Sequence, residues 1–205
     1  MNKTLINKVI YNSFLSVAVI ALTIFIGCDD PYSYTSPQEY LDSEMKLLNE
    51  FYANIIDTVD NVERTWLEKS TAEAIDTVDN RDGSGMMLFH TKIGEGDSVK
   101  LYKRVGYRYT QYQVLIYTDT IAEKDFPGMF YYTSNEYSNS PVLYTTFPKS
   151  DSYSASSLGI PQGVNEAILN MRYGGECRVV LPSTINANSS YITTIFDLKI
   201  TYLEN

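Results

Sequence analysis

Apolar and polar positions follow two different periods along this chain, and the change from one to the other divides it. Residues 14–26 are almost all apolar, interrupted only by Ser16 and Thr23. Further on, Leu41, Met45, Leu48, Tyr52 and Ile55 recur at helical spacing. Ser36-Pro37-Gln38-Glu39 is a helix start: Ser caps, Pro takes the first helical position, and Glu lies three residues after the cap. The pattern predicts a helix over 37–56. A second helical stretch is predicted over 62–74 and holds Trp66, the single tryptophan. From Gly85 the period becomes two, carried by Val, Ile, Leu and Tyr. Strands are predicted over 86–91, 98–109, 112–118, 141–147, 177–181 and 193–203. A turn is predicted at 93–97, a loop over 124–140 around Phe126-Pro127-Gly128, and a polar, flexible stretch over 150–157. Val164, Ala167, Ile168 and Met171 make one apolar face of a short helix over 163–171, ended by Gly174-Gly175. In the last strand Ile195, Asp197, Lys199 and Thr201 share one face, and Phe196, Leu198, Ile200 and Tyr202 the other. The fold class is α+β.

The first apolar run takes its meaning from its flanks. Lys3 and Lys8 precede it. It is too short to span a bilayer comfortably, which takes roughly 20 apolar residues, and it fits the centre of a signal peptide. It stops at Phe25-Ile26-Gly27-Cys28, which resembles a lipobox, with Phe25 where leucine is usual. Such a cysteine carries diacylglycerol after cleavage before it. The alternative, an uncleaved anchor helix starting near Leu5, fits less well, because polar, Pro-containing sequence begins directly after Cys28. The expected organisation is a signal peptide over 1–27, a tether over 28–36 lipidated on Cys28, a helical leader over 37–82 and a β-rich domain over 83–205. The expected place is the cell envelope, lipid-anchored at the outer membrane on its periplasmic or surface face. Asp29 and Asp30 resemble the surface-export signal of Bacteroidetes-type lipoproteins. Elsewhere Asp at that place marks inner-membrane retention, so the leaflet stays open.

Charge and composition then remove partners. The formal net charge is -9, and losing Lys3 and Lys8 with the signal makes it two units more negative. So acidic a chain has no electrostatic route to nucleic acid. Anionic lipid would repel it too, so the membrane is a partner only through the lipid on Cys28. Of the two cysteines, acylation of Cys28 leaves Cys177 without a partner, so no disulfide framework forms. One histidine, His90, and one thiol cannot assemble the usual zinc ligand sets. No EF-hand spacing is present, and no cofactor is implied. His90 at a strand end, Cys177 as a half-buried small hydrophobe and Asp197 facing outward read as structural, and Glu166 as solvated on the polar face of its helix. A short repeat stands apart: Ile56-Asp57-Thr58-Val59-Asp60-Asn61 recurs as Ile75-Asp76-Thr77-Val78-Asp79-Asn80. It is too brief for a solenoid and reads as coincidence in a loop-rich acidic region or as a modification signal. Asp-Thr/Ser-apolar triplets resemble the O-glycosylation motif of Bacteroidetes. They occur at Thr58, Thr77 and Thr120, and at Ser98, whose place within or beside a strand makes it the weakest of them.

The order of elements after Gly83 resembles the FKBP family. Gly163-Val164-Asn165-Glu166-Ala167-Ile168-Leu169-Asn170-Met171-Arg172-Tyr173-Gly174-Gly175 resembles the signature G-W-x-E-A-L-x-x-M-x-x-G. Cys177 to Pro182 resembles the strand that follows it. Ile195-Phe196-Asp197-Leu198 resembles the closing V-F-D-V, and Gly94-Glu95-Gly96-Asp97-Ser98-Val99 resembles G-x-G-D-x-V. The resemblance implies an FKBP-like bent antiparallel β-sheet wrapped over one short helix. It also implies rotation of the peptide bond before proline, whose uncatalysed barrier is ~18–20 kcal/mol. That chemistry needs no nucleophile or metal. It needs a dry aromatic cup that grips the prolyl ring and tolerates the twisted amide.

Carried over residue by residue, the cup is altered. The tryptophan of its floor falls on Val164. Tyr132 and Thr133 stand for its Phe-Asp pair, Ile160 and Pro161 for the apolar pair before the helix, and Phe196 for the strand phenylalanine. The tyrosine of V-x-Y falls on Lys103, or on Tyr102 with a one-residue slip that would flip the side chain. The candidate pocket is Tyr102, Tyr132, Val142, Ile160, Val164 and Phe196. Three functions follow: a protein-binding or folding-helper module with isomerase activity weak or lost, a working prolyl isomerase whose cup is rebuilt from tyrosines such as Tyr107, Tyr109 and Tyr144, or a structural or glycan-associated surface lipoprotein. Proline-containing polypeptides are the partners the first two imply.

Overall fold

The computed structural model describes residues 35–59, 62–120, 123–186 and 190–204. The expected signal peptide, Cys28 and most of the expected tether lie outside the described residues. Residues 37–205 form one compact unit. It opens with helix α1 (Pro37–Ala53), the hairpin β1 (Ile55–Val59) and β2 (Val62–Thr65), and helix α2 (Trp66–Glu73). Then come β3 (Asp76–Asn80), β4 (Met86–Lys92), β5 (Arg104–Asp119), β6 (Lys124–Ser134) and β7 (Val142–Thr145). Helices α3 (Ser152–Leu158) and α4 (Gln162–Leu169) lead to β8 (Glu176–Leu181), the short α5 (Ser183–Asn186) and β9 (Thr194–Leu203). Strands β3 to β9 make one antiparallel sheet in the order β3-β4-β8-β9-β5-β6, with β7 also paired to β5.

Both faces of this sheet are covered, which explains why neighbouring strand residues are both buried where strict alternation would expose one. On one face Met86, Leu88, Val105, Tyr107, Cys177, Val179, Leu181, Phe196, Leu198 and Ile200 pack with Val164, Ala167 and Ile168 of α4. On the other face Met87, Phe89, Val114, Val180 and Ile195 pack with Leu48, Phe51 and Tyr52 of α1 and Trp66 of α2. Trp66 meets Phe51 at 4.6 Å and stands edge-on to Phe89 at 5.7 Å. A buried carboxylate ties α1 across the unit: Glu44 accepts from the Ser183 N–H at 2.8 Å, from the Ser183 hydroxyl, and from Thr193 Oγ1 at 2.8 Å. Three donors satisfy an anion whose burial would otherwise be costly.

Several expected elements differ, each for a physical reason. The leader over 37–82 is not wholly helical, since it holds the β1–β2 hairpin and supplies β3 to the main sheet. The first helix stops at Ala53, because Ile55 starts β1, and of 62–74 only Trp66–Glu73 is helical. There Thr65 and Glu68 form a reciprocal capping box, which starts the helix four residues later than the periodicity suggests. The described parts of the repeat are strands, not loops: its first copy pairs in β1 and its second in β3. Residues 98–103 form an isolated bridge and a turn, and the strand starts at Arg104. It then runs unbroken through Thr110 and Gln111, fusing two predicted strands into one of 16 residues. The expected loop over 124–140 is largely β6, where an edge strand tolerates Pro127 because, among the described residues, no further strand needs its missing N–H. The polar stretch over 150–157 is largely α3, capped by Asp151 through the Ser154 N–H and ended by Gly159 in the left-handed region. The helix of the signature ends at Leu169, before the glycine pair.

Candidate functional site

Helix α4 places its residues in the core on the sheet's first face, and Val164, Ala167 and Ile168 are fully buried. Its polar members are buried as well. Asn165 is inaccessible: its Oδ1 accepts from Tyr144 OH at 3.2 Å and from the Phe147 N–H at 3.3 Å, and its Nδ2 donates to Phe147 O at 2.8 Å. Those bonds draw β7 and the chain after it down onto the helix. Glu166 is buried, not solvated, and accepts from Lys149 Nζ and Asn80 Nδ2, each at 2.7 Å. The helix is too short to leave one face to solvent once the turns at 80–84 and 147–149 fold over it.

Above α4 lies a continuous chain of rings. Phe147 meets Tyr144 at 6.1 Å, Tyr144 meets Tyr107 edge-on at 5.9 Å, Tyr107 meets Tyr109 at 6.0 Å, and Tyr109 meets Phe196 at 5.9 Å. Phe147, Tyr144, Tyr107 and Phe196 are each at most 5% exposed, and Tyr109 is half-buried. Burial pushes the Tyr107 and Tyr144 phenols well above their ordinary value. These rings act as packed hydrophobic mass with one polar tether, not as proton carriers.

The expected pocket residues divide into two groups. Ile160, Val164 and Phe196 share the core cluster, with Val142 packed at its edge. Tyr102 and Tyr132 do not join them. Tyr102 lies in the turn before β5 with a left-handed φ of 60°, is 69% exposed, and donates its N–H to Thr146 O. Tyr132 is 59% exposed on β6. Neither Tyr102 nor Lys103 is on a strand, so no strand register decides between them. Asn165 and Phe147 were not expected in this layer. A polar Asn three residues before Ile168, inside an apolar helical stripe, was the available signal.

Other chemistry is muted. Cys177 is wholly rather than half buried, and burial pushes its thiol up, out of the thiolate range. His90 is buried, with Nδ1 unpartnered, and burial holds its imidazole below the ordinary value. On the sheet's second face Arg178 bonds Asp197 through two hydrogen bonds at 2.7 and 2.8 Å, and Lys199 pairs Glu176 at 3.1 Å. These pairs wall a half-open cleft of about 370 Å³ beside Ser70, Glu73, Phe89 and Glu136. Thr58 and Thr120 are exposed, Thr77 is half-buried in β3, and Ser98 is exposed in its bridge to Arg172.

No protein-family description and no curated protein matches the chain. Among solved structures it is similar to a peptidyl-prolyl cis-trans isomerase from Pseudomonas syringae pv. tomato strain DC3000, at 14% identity over 85% of this chain and 100% of that one, with a TM-score of 0.46.

Proposed function

We propose that the chain is an FKBP-like polypeptide-binding or folding-helper module, held in the cell envelope by lipid on Cys28, with prolyl isomerase activity weak or lost. The single observation that carries this is the ring chain Phe147–Tyr144–Tyr107–Tyr109–Phe196 packed over a fully buried Val164. Catalysis at proline requires an open cup, because the prolyl ring must be seated while the carbonyl leaves the amide plane. Here Tyr107, Tyr144, Phe147 and Phe196 pack in the same core cluster as Val164, and the floor position carries no indole. The antiparallel sheet with one short buried helix, and the signature from Gly163 to Gly175, support the family reading. The tyrosines that could have rebuilt a cup favour closure: Tyr107 and Tyr144 are inside, while Tyr102 and Tyr132 point to solvent. Membrane attachment rests on the residues before Asp29 alone.

The test is a prolyl isomerisation assay on the full chain with a short Xaa-Pro peptide, beside Phe196→Ala. The expected result is no acceleration over the uncatalysed rate. Clear acceleration that disappears in Phe196→Ala would replace this reading with that of a working isomerase.

A further inference from the structure

The distal half of the β5–β6 ribbon carries rings that neither core uses. The two strands pair from Thr110 with Ser134 to Asp119 with Lys124, and directly opposed residues share a face. One face therefore holds Leu115, Tyr117, Phe126 and Phe130. Tyr117 stacks on Phe126 at 5.7 Å and meets Phe130 edge-on at 6.2 Å. Tyr117 is 43% exposed and Phe130 39%. Gly128 lies beneath both rings: a Cβ there would stand 3.0 Å from Tyr117 Cδ1 and 3.2 Å from Phe130 Cε2. The missing side chain lets both rings close down onto the strand, so the cluster presents their outer edges and faces with no gap between them. The opposite face adds Ile116 and Tyr131, also exposed. β6 ends the sheet and, among the described residues, pairs only with β5. An exposed cluster of this kind on a folded chain marks a contact surface.

Charge selects the occupant. The end of the ribbon carries Asp119, Glu123 and Asp125 against Lys124, whose amine already lies over the Phe126 ring at 5.1 Å. The whole chain is at -9. A second copy, an anionic lipid surface or a nucleic acid would each meet like charge here. A cationic chain would be drawn in, and its apolar side chains would find the rings. We infer that this ribbon is the docking surface for an extended, cationic polypeptide segment, whose apolar side chains lie against the exposed rings of Tyr117 and Phe130. The inference rests on the binding-module reading and supplies that module's contact face, away from the closed layer over α4.

The experiment uses the full chain in detergent and a fluorescein-labelled peptide of lysine, leucine and proline, with a glutamate-for-lysine counterpart, read by fluorescence anisotropy. The expected result is saturable binding of the lysine peptide, weakened about tenfold or more by Tyr117→Ser with Phe130→Ser, as loss of aromatic anchors does. Binding should also weaken with salt, and the glutamate peptide should not bind. Gly128→Ala keeps both rings but pushes them out of place, and should weaken binding in the same direction with the circular dichroism spectrum unchanged. Binding that survives both variants overturns this surface and leaves the binding-module reading standing. A wild-type chain that ignores the lysine peptide overturns both. Equal binding of the two peptides overturns the cationic partner. A wild-type dimer in sedimentation that the ring variant abolishes would give the ribbon to a second copy, and overturn the inference as well.

Discussion

At the scale of single residues, Asn165 does what the ring layer cannot do for itself. Aromatic contact is weakly directional, so the height of Tyr144 and Phe147 above α4 is set by the three hydrogen bonds of one buried amide. Asn165→Ala strands the Tyr144 hydroxyl and both main-chain groups of Phe147 in a dry setting. We expect a loss of about 2–4 kcal/mol in urea unfolding, since orphaned buried polar groups cost about 1–3 kcal/mol each and some relax to water. Tyr144→Phe removes only one partner and should cost about 1 kcal/mol. His90 gives a pH signature. Burial lowers its pKa from the ordinary 6.5, and the Asp76 carboxylate opposes that shift. A lowered pKa means the unfolded chain takes up the proton first. The contribution is therefore intact above pH 6.5 and is lost as pH falls through 6.5 toward the folded value. Thermal melts from pH 7.5 to 5 should show the wild-type midpoint falling more steeply than that of His90→Gln. Parallel curves would remove His90 as a source of acid sensitivity.

At the scale of elements, turns and caps hold the sheet's connections in place. The turn after β4 packs against the segment that follows α4, and Gly94 sits at their closest approach with φ of 84°. A Cβ there would lie 2.5 Å from Tyr173 O and 2.6 Å from Gly175 N, both main-chain atoms that cannot swing aside. Gly94→Ala should therefore destabilise by about 1–3 kcal/mol in chemical denaturation, from strain and displacement together. The reciprocal bonds of Thr65 and Glu68 start α2 at the residue that brings Trp66 onto Phe51 and Phe89. Thr65→Ala should cost about 1 kcal/mol, with faster amide exchange confined to the first turn of α2.

At the scale of the molecule, the amino-terminal part of the unit is not a removable leader. Helices α1 and α2 cover Met87, Phe89, Val114, Val180 and Ile195, and β3 pairs along β4 from Asp76 with His90 to Asn80 with Met86. A chain begun at Gly83 would expose that second core face and leave β4 as an open edge. It should elute as aggregate in size-exclusion chromatography, whereas a chain begun at Pro37 should elute as a folded monomer. The proposed lipid anchor tests separately, because it would rest on the one thiol of Cys28. Cys28→Ala should move the protein from the detergent phase to the aqueous phase in cloud-point partition, with its melting midpoint unchanged.

Much of this molecule was legible in local chemistry. The start of α1 at Pro37, the alternation along β8 and β9 and the apolar stripe of α4 each depend on residues a few places apart. Most strands of the sheet could be named on those grounds, as could the core-facing places of Val164 and Phe196. Other features needed partners distant in sequence. Lys124–Ser134 is a strand only because it lies at an edge, where β5 supplies one side and Pro127 owes nothing to the other. Glu166 is buried only because Asn80 and Lys149 arrive to bond it. Tyr107 lies inside and Tyr102 outside because the strand begins at Arg104, a boundary set by pairing with β7 and β9. Period and capping are properties of a segment, and the sequence by itself determined them. Edge position, burial of charge and the packing of rings far apart in sequence are properties of the assembled sheet, and only the tertiary structure decided those.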